Sequence, residues 1–525
     1  MEFNLGTLVL WGASIISIYL VVIIPIINVL KFRRIPSHEA YPILGNLIAM
    51  WKCHDEFNKL FERWASKYGR GPVVVWGTYW FPIVVLGDAK DVKKVLCSRD
   101  HVSKGLFYRA LDLAIGTGAF NAPVGIWKQR RPHLEQAFHS KVLQRLPSIF
   151  YLSSCELIQA LQKDGHDTSG QTFDIHPYLS RCSIQMLIGG ALGLEVDTFG
   201  GASKEFWKLA IQNYTRGTFL AEYRMLRPWY LFSSKIWNLT RLSKEMRTSV
   251  EWLHKFLFSQ FLADKKRVDH EKNSTVQSSD KIMPQPKNFL ELLLYLQNTK
   301  PELELSDQEL IYEISSIYIA GTDATSKTLS FLILSLALHH DIQEKVREEL
   351  DAIFASDDNT KGNYPITETH CNKMRYLECC IKETLRLFPP VSCITRRVGS
   401  DIYLDDGGHV PTGTEVVISI FSVHRNPSVY PDPNIFNPNR FLHPQDNAEM
   451  STIKIGPFDW IPFSAGPRNC LGPKFAMVEI KVVAANIFRN YKVMTGSFMK
   501  MEDWVLHTNI TLDLQGGWNI KLVPR

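Results

Sequence analysis

From Phe3 to Leu30 the chain carries no charged residue, and Lys31, Arg33 and Arg34 follow at once. About 20 apolar residues suffice to cross a bilayer. Residues 1–30 therefore predict a single membrane-spanning helix. Flanking positive charge stays cytoplasmic, which puts the amino terminus in the lumen and the body in the cytosol. A cleaved signal peptide fits less well, because the run is too long and has neither a basic leader nor a small-residue cleavage site. Residues 31–45 read as a basic hinge stiffened by Pro36 and Pro42. Residues 46–525 read as one large domain.

Within that body the period changes twice. "PVVVWG" and "FPIVVLG" alternate like strands and predict a hairpin. From about Lys90 to Leu350 the helical period dominates, with "GIWKQRRPHLEQAFHSKVLQRL" (residues 125–146) read as one helix. Residues 265–287 are polar and poor in aromatics, which predicts a mobile surface loop. The stretch from Leu305 to His340 is apolar nearly all round, the pattern of a helix through the middle of a large domain. Ser306 and Glu309 form a capping box at its start. After Val391 the chain turns to short strands and proline-rich loops, and a final helix begins near Pro473. The expected fold class is mainly α with a small β portion.

Composition narrows the function. The 525 residues are 45% hydrophobic and 21% charged, ample for a large core. A net charge of +6 is too mild to indicate nucleic acid. No basic stripe, internal repeat or phosphate loop is present. The nine cysteines are scattered and form no CxxC pair, which points to a reducing compartment.

One cysteine stands apart. "FSAGPRNCLG", Phe463 to Gly472, sets Cys470 on a glycine-containing loop just before a helix. Free amides and the dipole of a helix N-terminus stabilise a thiolate. Zinc and iron–sulfur sites need several ligands, and none stands at the required spacing. A single thiolate does serve as the axial ligand of a haem iron.

Phe463, Gly466, Arg468, Cys470 and Gly472 reproduce FxxGxRxCxG, and the chain here resembles the cytochrome P-450 superfamily of haem-thiolate monooxygenases. "ETLR" supplies Glu383 and Arg386, and "NPNRF" supplies Arg440. In that family the three form a buried cluster that braces the cysteine loop. Trp127 and Arg131 match WxxxR and, with Arg396 and Arg468, are expected at the haem propionates. Lys128 and Arg130 are expected on a solvated face or a reductase-docking surface. "LSDQEL", "ALHHDIQEKVREEL" and "FPPVSCITR" are similar to the microsomal family-4 clan. The resemblance implies the P-450 fold, haem b, and electrons from NADPH through a reductase flavoprotein, with cytochrome b5 as a further donor. It also implies a lipophilic substrate, anchorage in the endoplasmic reticulum membrane, and no nucleic-acid partner.

The pattern breaks on the central helix, at "AGTDATS". Asp323 is the expected acid. Where the family places a proton-steering threonine stands Ala324, and Thr325 follows one step later, turned by about 100°. Asp323 with Thr325 is the expected proton-delivery pair. Ala320 stands where many clan members carry a glutamate bonded to haem, so that link is expected to be absent. The substrate wall is expected to include the loop before Trp127, the helix from Phe206 to Tyr223, Tyr318, Ala320, Ala324, Val391 to Ile394, and His507. A hydroperoxide isomerase or dehydratase on the same fold, and a non-catalytic haem sensor, remain as alternatives.

Overall fold

The computed structural model describes residues 5–41, 44–46, 48–49, 57–78, 81–168, 170–193, 204–225, 227, 230, 233–275, 286–355, 365–405, 407–442, 454–508 and 510–525. The chain divides into two compact units. The first is Met1–Phe107, Ser392–Pro433 and Ile455–Asn469; the second is Tyr108–Val391, Asn434–Lys454 and Cys470–Arg525.

The first unit opens with helices Leu5–Ile18 and Ile24–Lys31, joined by a π turn at Tyr19–Ile23. Pro25 cannot donate to the preceding turn, and the widened turn accommodates that loss. Trp11–Lys31 is long and apolar enough to cross a membrane, and none of it is buried.

The expected hairpin is present as antiparallel strands Val73–Thr78 and Phe81–Leu86. It continues into a five-stranded sheet through Glu415–Ser419, Cys393–Arg397 and Ser103–Lys104. Every residue of Glu415–Ser419 is buried, as suits a central strand covered on both faces. Leu60, Phe61 and Trp64, from helix Phe57–Tyr68, pack with Val75, Ile83, Val85 and Val417 into this unit's core.

The second unit is built on the central helix, Asp307–Leu338. Ser306 caps it by accepting from the Glu309 amide at 3.2 Å. Helices His176–Leu187 and Pro473–Asn490 pack against it, and Leu146–Lys163 packs against both of these. Their inward residues, among them Phe150, Leu179, Met186, Phe331 and Phe488, are fully buried.

Two expected elements differ. The stretch 125–146 is not one helix. Val124–Leu134 is α-helical, Glu135–Phe138 is a 3-10 turn, Ser140–Leu143 is a single turn, and Leu146–Lys163 begins anew. Pro132 removes one ladder bond, and Pro147 suits a fresh first turn. The polar stretch 265–287 is helical in its first part, because helix Arg241–Thr275 runs on into it. Its lysines and glutamate are good helix formers despite their polarity. Residues 276–285 lie outside the described residues.

Candidate active site

The cysteine loop is held by backbone bonds on its approach. His424 Nε2 accepts from the Ile461 amide at 2.8 Å, and the Ser464 amide bonds Ile461 O at 2.9 Å. Gly466 has φ +72°, and a Cβ there would overlap the Leu96 carbonyl oxygen. Only glycine meets both demands. The Asn469 amide then closes on Gly466 O at 3.1 Å.

In the second unit, Cys470 Sγ accepts from the Gly472 amide at 3.4 Å, immediately before helix Pro473–Asn490. An amide aimed at sulfur beside a helix N-terminus favours thiolate. Cys470 is exposed, whereas Cys182, Cys379 and Cys380 are buried. Burial pushes the Cys182 and Cys380 thiols well up, so they stay protonated and inert.

Among the described residues no group of three or more His, Cys, Asp or Glu could hold a metal ion. A single cysteine suits an iron that arrives with its other ligands in a macrocycle. The cationic residues suit the carboxylates of such a group. Arg396 is buried in strand Cys393–Arg397, with Nη1 on Thr395 O at 2.9 Å, and Arg468 is buried beside Phe463 and Gly466 in sequence. In the second unit Trp127 is buried on helix Val124–Leu134, and Arg131 Nε meets Glu135 at 2.7 Å. Arg130, expected at the surface, is buried instead. Its Nη1 lies 2.6 Å from Glu309 and 3.2 Å from Glu313 on the central helix.

Glu383, Arg386 and Arg440 come together. Arg386 donates from Nε to Glu383 Oε2 at 2.7 Å and from Nη2 to Oε1 at 2.8 Å, with both side chains fully buried. Arg440 Nε stands 3.5 Å from Oε1, and the Asn437 amide donates to that oxygen at 2.8 Å. The bidentate pair thus fixes the segment 435–440, a connection that the helical spacing of Glu383 and Arg386 alone does not reveal.

On the central helix, Ala320 is exposed and Ala324, four residues on, is part-exposed, within a helix buried over most of its length. Small side chains here open one stripe of the helix to a flat ligand. Asp323 is part-exposed beside that stripe. Its Oδ2 accepts from the Thr511 hydroxyl and lies 3.4 Å from Lys327 Nζ. Thr325, expected to work with Asp323, is turned away. Its hydroxyl donates to Gly321 O at 2.6 Å and meets Ser183 Oγ at 3.5 Å. The 100° step per residue carries it onto helix His176–Leu187.

Of the expected wall residues, Tyr318 is buried and packs edge-on against Tyr214 at 6.0 Å. The backbone of helix Lys204–Met225 is described; the Phe206 side chain lies outside the described residues. Val391 is part-buried in the second unit, and Ile394 is buried in the first. His507 is part-buried on hairpin Leu506–Thr508/Leu512–Leu514, which the Leu512 amide ties to Pro390 O at 2.7 Å. A cavity in the second unit is lined by Leu111, Tyr214, Ala221, Met246, Val250 and Ile319.

Two carboxyls that matter electrostatically escaped the sequence reading. Glu313 is fully buried. Burial pushes its pKa to about 7, against the Ala119 amide and Arg130, which favour the charged form. Glu479 is also fully buried, beside the hydroxyls of Ser183 and Thr325, and burial pushes it to about 8. The only sequence hint was an acid inside an otherwise apolar helical stripe.

Comparison with known proteins agrees with this geometry. The cytochrome P450 family model matches residues 35–511. The chain is 32% identical over 508 residues to cytochrome P450 4c3 of Drosophila melanogaster, covering 94% of this chain and 90% of that one. It is 30% identical to cytochrome P450 4d1 of the same organism, over 88% of this chain and 90% of the relative. Cytochrome P450 4V2 of Mus musculus is 28% identical over 99% of this chain and 97% of its own length. With the cysteine loop, the buried Glu383–Arg386–Arg440 cluster and a match across most of its length, the chain belongs to the cytochrome P450 family of monooxygenases.

Proposed function

We propose that the protein is a membrane-anchored enzyme that hydroxylates or epoxidises a lipophilic small molecule. Its first 30 residues anchor it in the endoplasmic reticulum membrane, and its body faces the cytosol. An NADPH-dependent reductase flavoprotein supplies electrons, with cytochrome b5 as a further donor. The observation that carries the reading is the open stripe of Ala320 and Ala324 beside the part-exposed acid Asp323, on a helix otherwise packed in the core. A flat ligand fits against such a stripe, and one titratable group stands at its edge.

Bound haem supplies the activation of dioxygen, one atom of which enters the substrate. Cys470 would hold its iron as thiolate, kept charged by the Gly472 amide and the helix behind it. Arg396, Arg468, Trp127 and Arg131 would pair with its carboxylates, and Phe463 and Gly466 would shape the loop. Asp323 relays protons from solvent to a water or a substrate hydroxyl, because Ala324 offers no hydroxyl of its own. Thr325, turned onto Ser183, shapes the helix rather than donating. Tyr214 and Tyr318, packed edge-on, form part of an apolar wall that excludes water.

The test is reconstitution of the full chain in vesicles with reductase and NADPH. Fatty acids, sterols, terpenoids and aromatic polyketides are first screened by the haem spin-state change. Ligands that shift the spin state should then yield products carrying one added oxygen, only when NADPH and reductase are present. Turnover of lipid hydroperoxides without NADPH, and none with it, would replace this reading with an isomerase.

A further inference from the structure

Lys327 is a lysine in the middle of the central helix, and its side chain is 7% exposed. An ammonium so placed needs partners. It has two carboxylates and a hydroxyl: Asp323 Oδ2 at 3.4 Å, Asp513 Oδ2 at 3.2 Å, and Thr511 Oγ1, to which it donates at 2.8 Å. Burial opposes its charge, but the two carboxylates outweigh burial and hold its pKa above the usual value. Asp513 is likewise held low, because Lys327 outweighs its own burial. Two further titratable groups stand near the cluster: Tyr214, whose hydroxyl burial and then the Asp323 charge push well up, and His176, bonded to Ser330 Oγ at 3.0 Å. Burial, then Lys327, pushes the pKa of His176 down, so it stays neutral.

Thr511 is the pivot. It accepts from Lys327 and donates to Asp323 Oδ2. Both contacts fall on the same carboxylate oxygen, and Oδ1 takes no hydrogen bond from any described residue. Asp323 is thus gripped by one oxygen and presents the other. The grip comes from the hairpin Leu506–Thr508/Leu512–Leu514, whose Leu512 amide is fixed on Pro390 O.

We propose that Lys327 and Thr511 are positioning residues that hold Asp323 for proton delivery, so that a hydroxyl from the C-terminal hairpin orients the acid on a helix lacking one at position 324. This rests on Asp323 being the proton donor. The Asp323 carboxylate takes a proton on Oδ1 from solvent and passes it to a bound water or substrate hydroxyl, which leaves the carboxylate as it began. Lys327 stays an ammonium throughout, the Thr511 hydroxyl keeps its own proton, and no electrons move in the step. A carboxylate loosed from this grip swings out of line, and an error of about 1 Å in such a group costs ~10²-fold in the assisted step.

The test uses the full chain with haem, reductase and NADPH, and needs no substrate. Without substrate, electrons leave as hydrogen peroxide or, when a further proton arrives in time, as water. Consumption is one NADPH per dioxygen for peroxide and two for water. Thr511→Val and Lys327→Met should lower the water-forming rate by ~10²-fold and shift the ratio toward one, whereas Thr511→Ser should keep the parent ratio. A second readout is independent of turnover. Thr511→Val and Asp323→Asn, singly and combined, should be non-additive in urea unfolding, as expected of groups in direct contact. Should Lys327→Met fail to fold, the Thr511 pair decides alone. Thr511→Val matching the parent ratio while Asp323→Asn loses water formation would overturn the positioning role and leave Asp323 as donor. Equal loss in Thr511→Val and Thr511→Ser, or an additive unfolding cycle, would also overturn it. Asp323→Asn at the parent ratio would instead remove Asp323 itself as the donor.

Discussion

Replacing Glu383 with alanine should cost the protein its haem and its fold, not merely slow its turnover. The side chain is fully buried and accepts from three donors, Arg386 Nε and Nη2 and the Asn437 amide, while Arg440 Nε stands 3.5 Å away as an ion-pair partner. Deleting it strands the Arg386 guanidinium in the core, at a cost of about 3–5 kcal/mol for a broken buried pair. The Asn437 amide loses its acceptor as well, for about 1–3 kcal/mol. The total, about 4–8 kcal/mol, is comparable with the whole stability of a typical domain, roughly 5–15 kcal/mol. Glu383→Gln should lie between parent and alanine variant, because it keeps an oxygen for Asn437 while losing the charge. Glu135→Ala, which removes a largely exposed partner of Arg131, serves as a control and should cost at most about 1 kcal/mol. Urea unfolding and haem content of the purified proteins are the assay. A Glu383→Ala protein with the parent's midpoint and full haem would show that the buried pair contributes nothing and that the reasoning from burial is wrong.

Cys470→Ala should abolish the red-shifted Soret band of the reduced carbon monoxide adduct, and retention of that band would place the iron on another ligand. Deleting the residues before Lys31 should release much of the protein from vesicles, while the intact chain should resist alkaline carbonate; complete extraction of the intact chain would mean that the segment does not span. Glu313 and Glu479, held near 7 and 8 when folded, start from 4.5 in the unfolded chain, so the folded state binds protons that the unfolded state has released. Stability should therefore fall as pH rises from about 5 to 8, and Glu313→Gln should flatten that fall. Urea midpoints across the range check it, and parallel profiles for parent and variant would contradict it.

What could be read in the sequence was what local physics dictates. The central helix starts at its Ser306 cap because a hydroxyl and the amide of Glu309 lie within one turn. The cysteine loop was legible because its glycines answer a backbone demand: Gly466 sits at positive φ against a carbonyl. The break within 125–146 was written in Pro132 and Pro147, yet strong helical periodicity on either side masked it.

The partners of the polar residues were not legible, because they come from far along the chain. Arg130 read as a surface cation, since nothing within a helical turn neutralises it; its carboxylates are 179 and 183 residues away, at Glu309 and Glu313. Thr325 read as a partner for Asp323 because the two are near in sequence, but helical rotation sends its hydroxyl to Ser183. The hydroxyl that does reach Asp323 belongs to Thr511, 188 residues downstream on a hairpin. A helix that lacks a hydroxyl at one position can be met by a hydroxyl from another element, provided that element is rigidly tied to the same core. The Leu512–Pro390 bond ties this one. A missing motif residue is therefore weak evidence of a missing function until the surroundings of its neighbours in space are known.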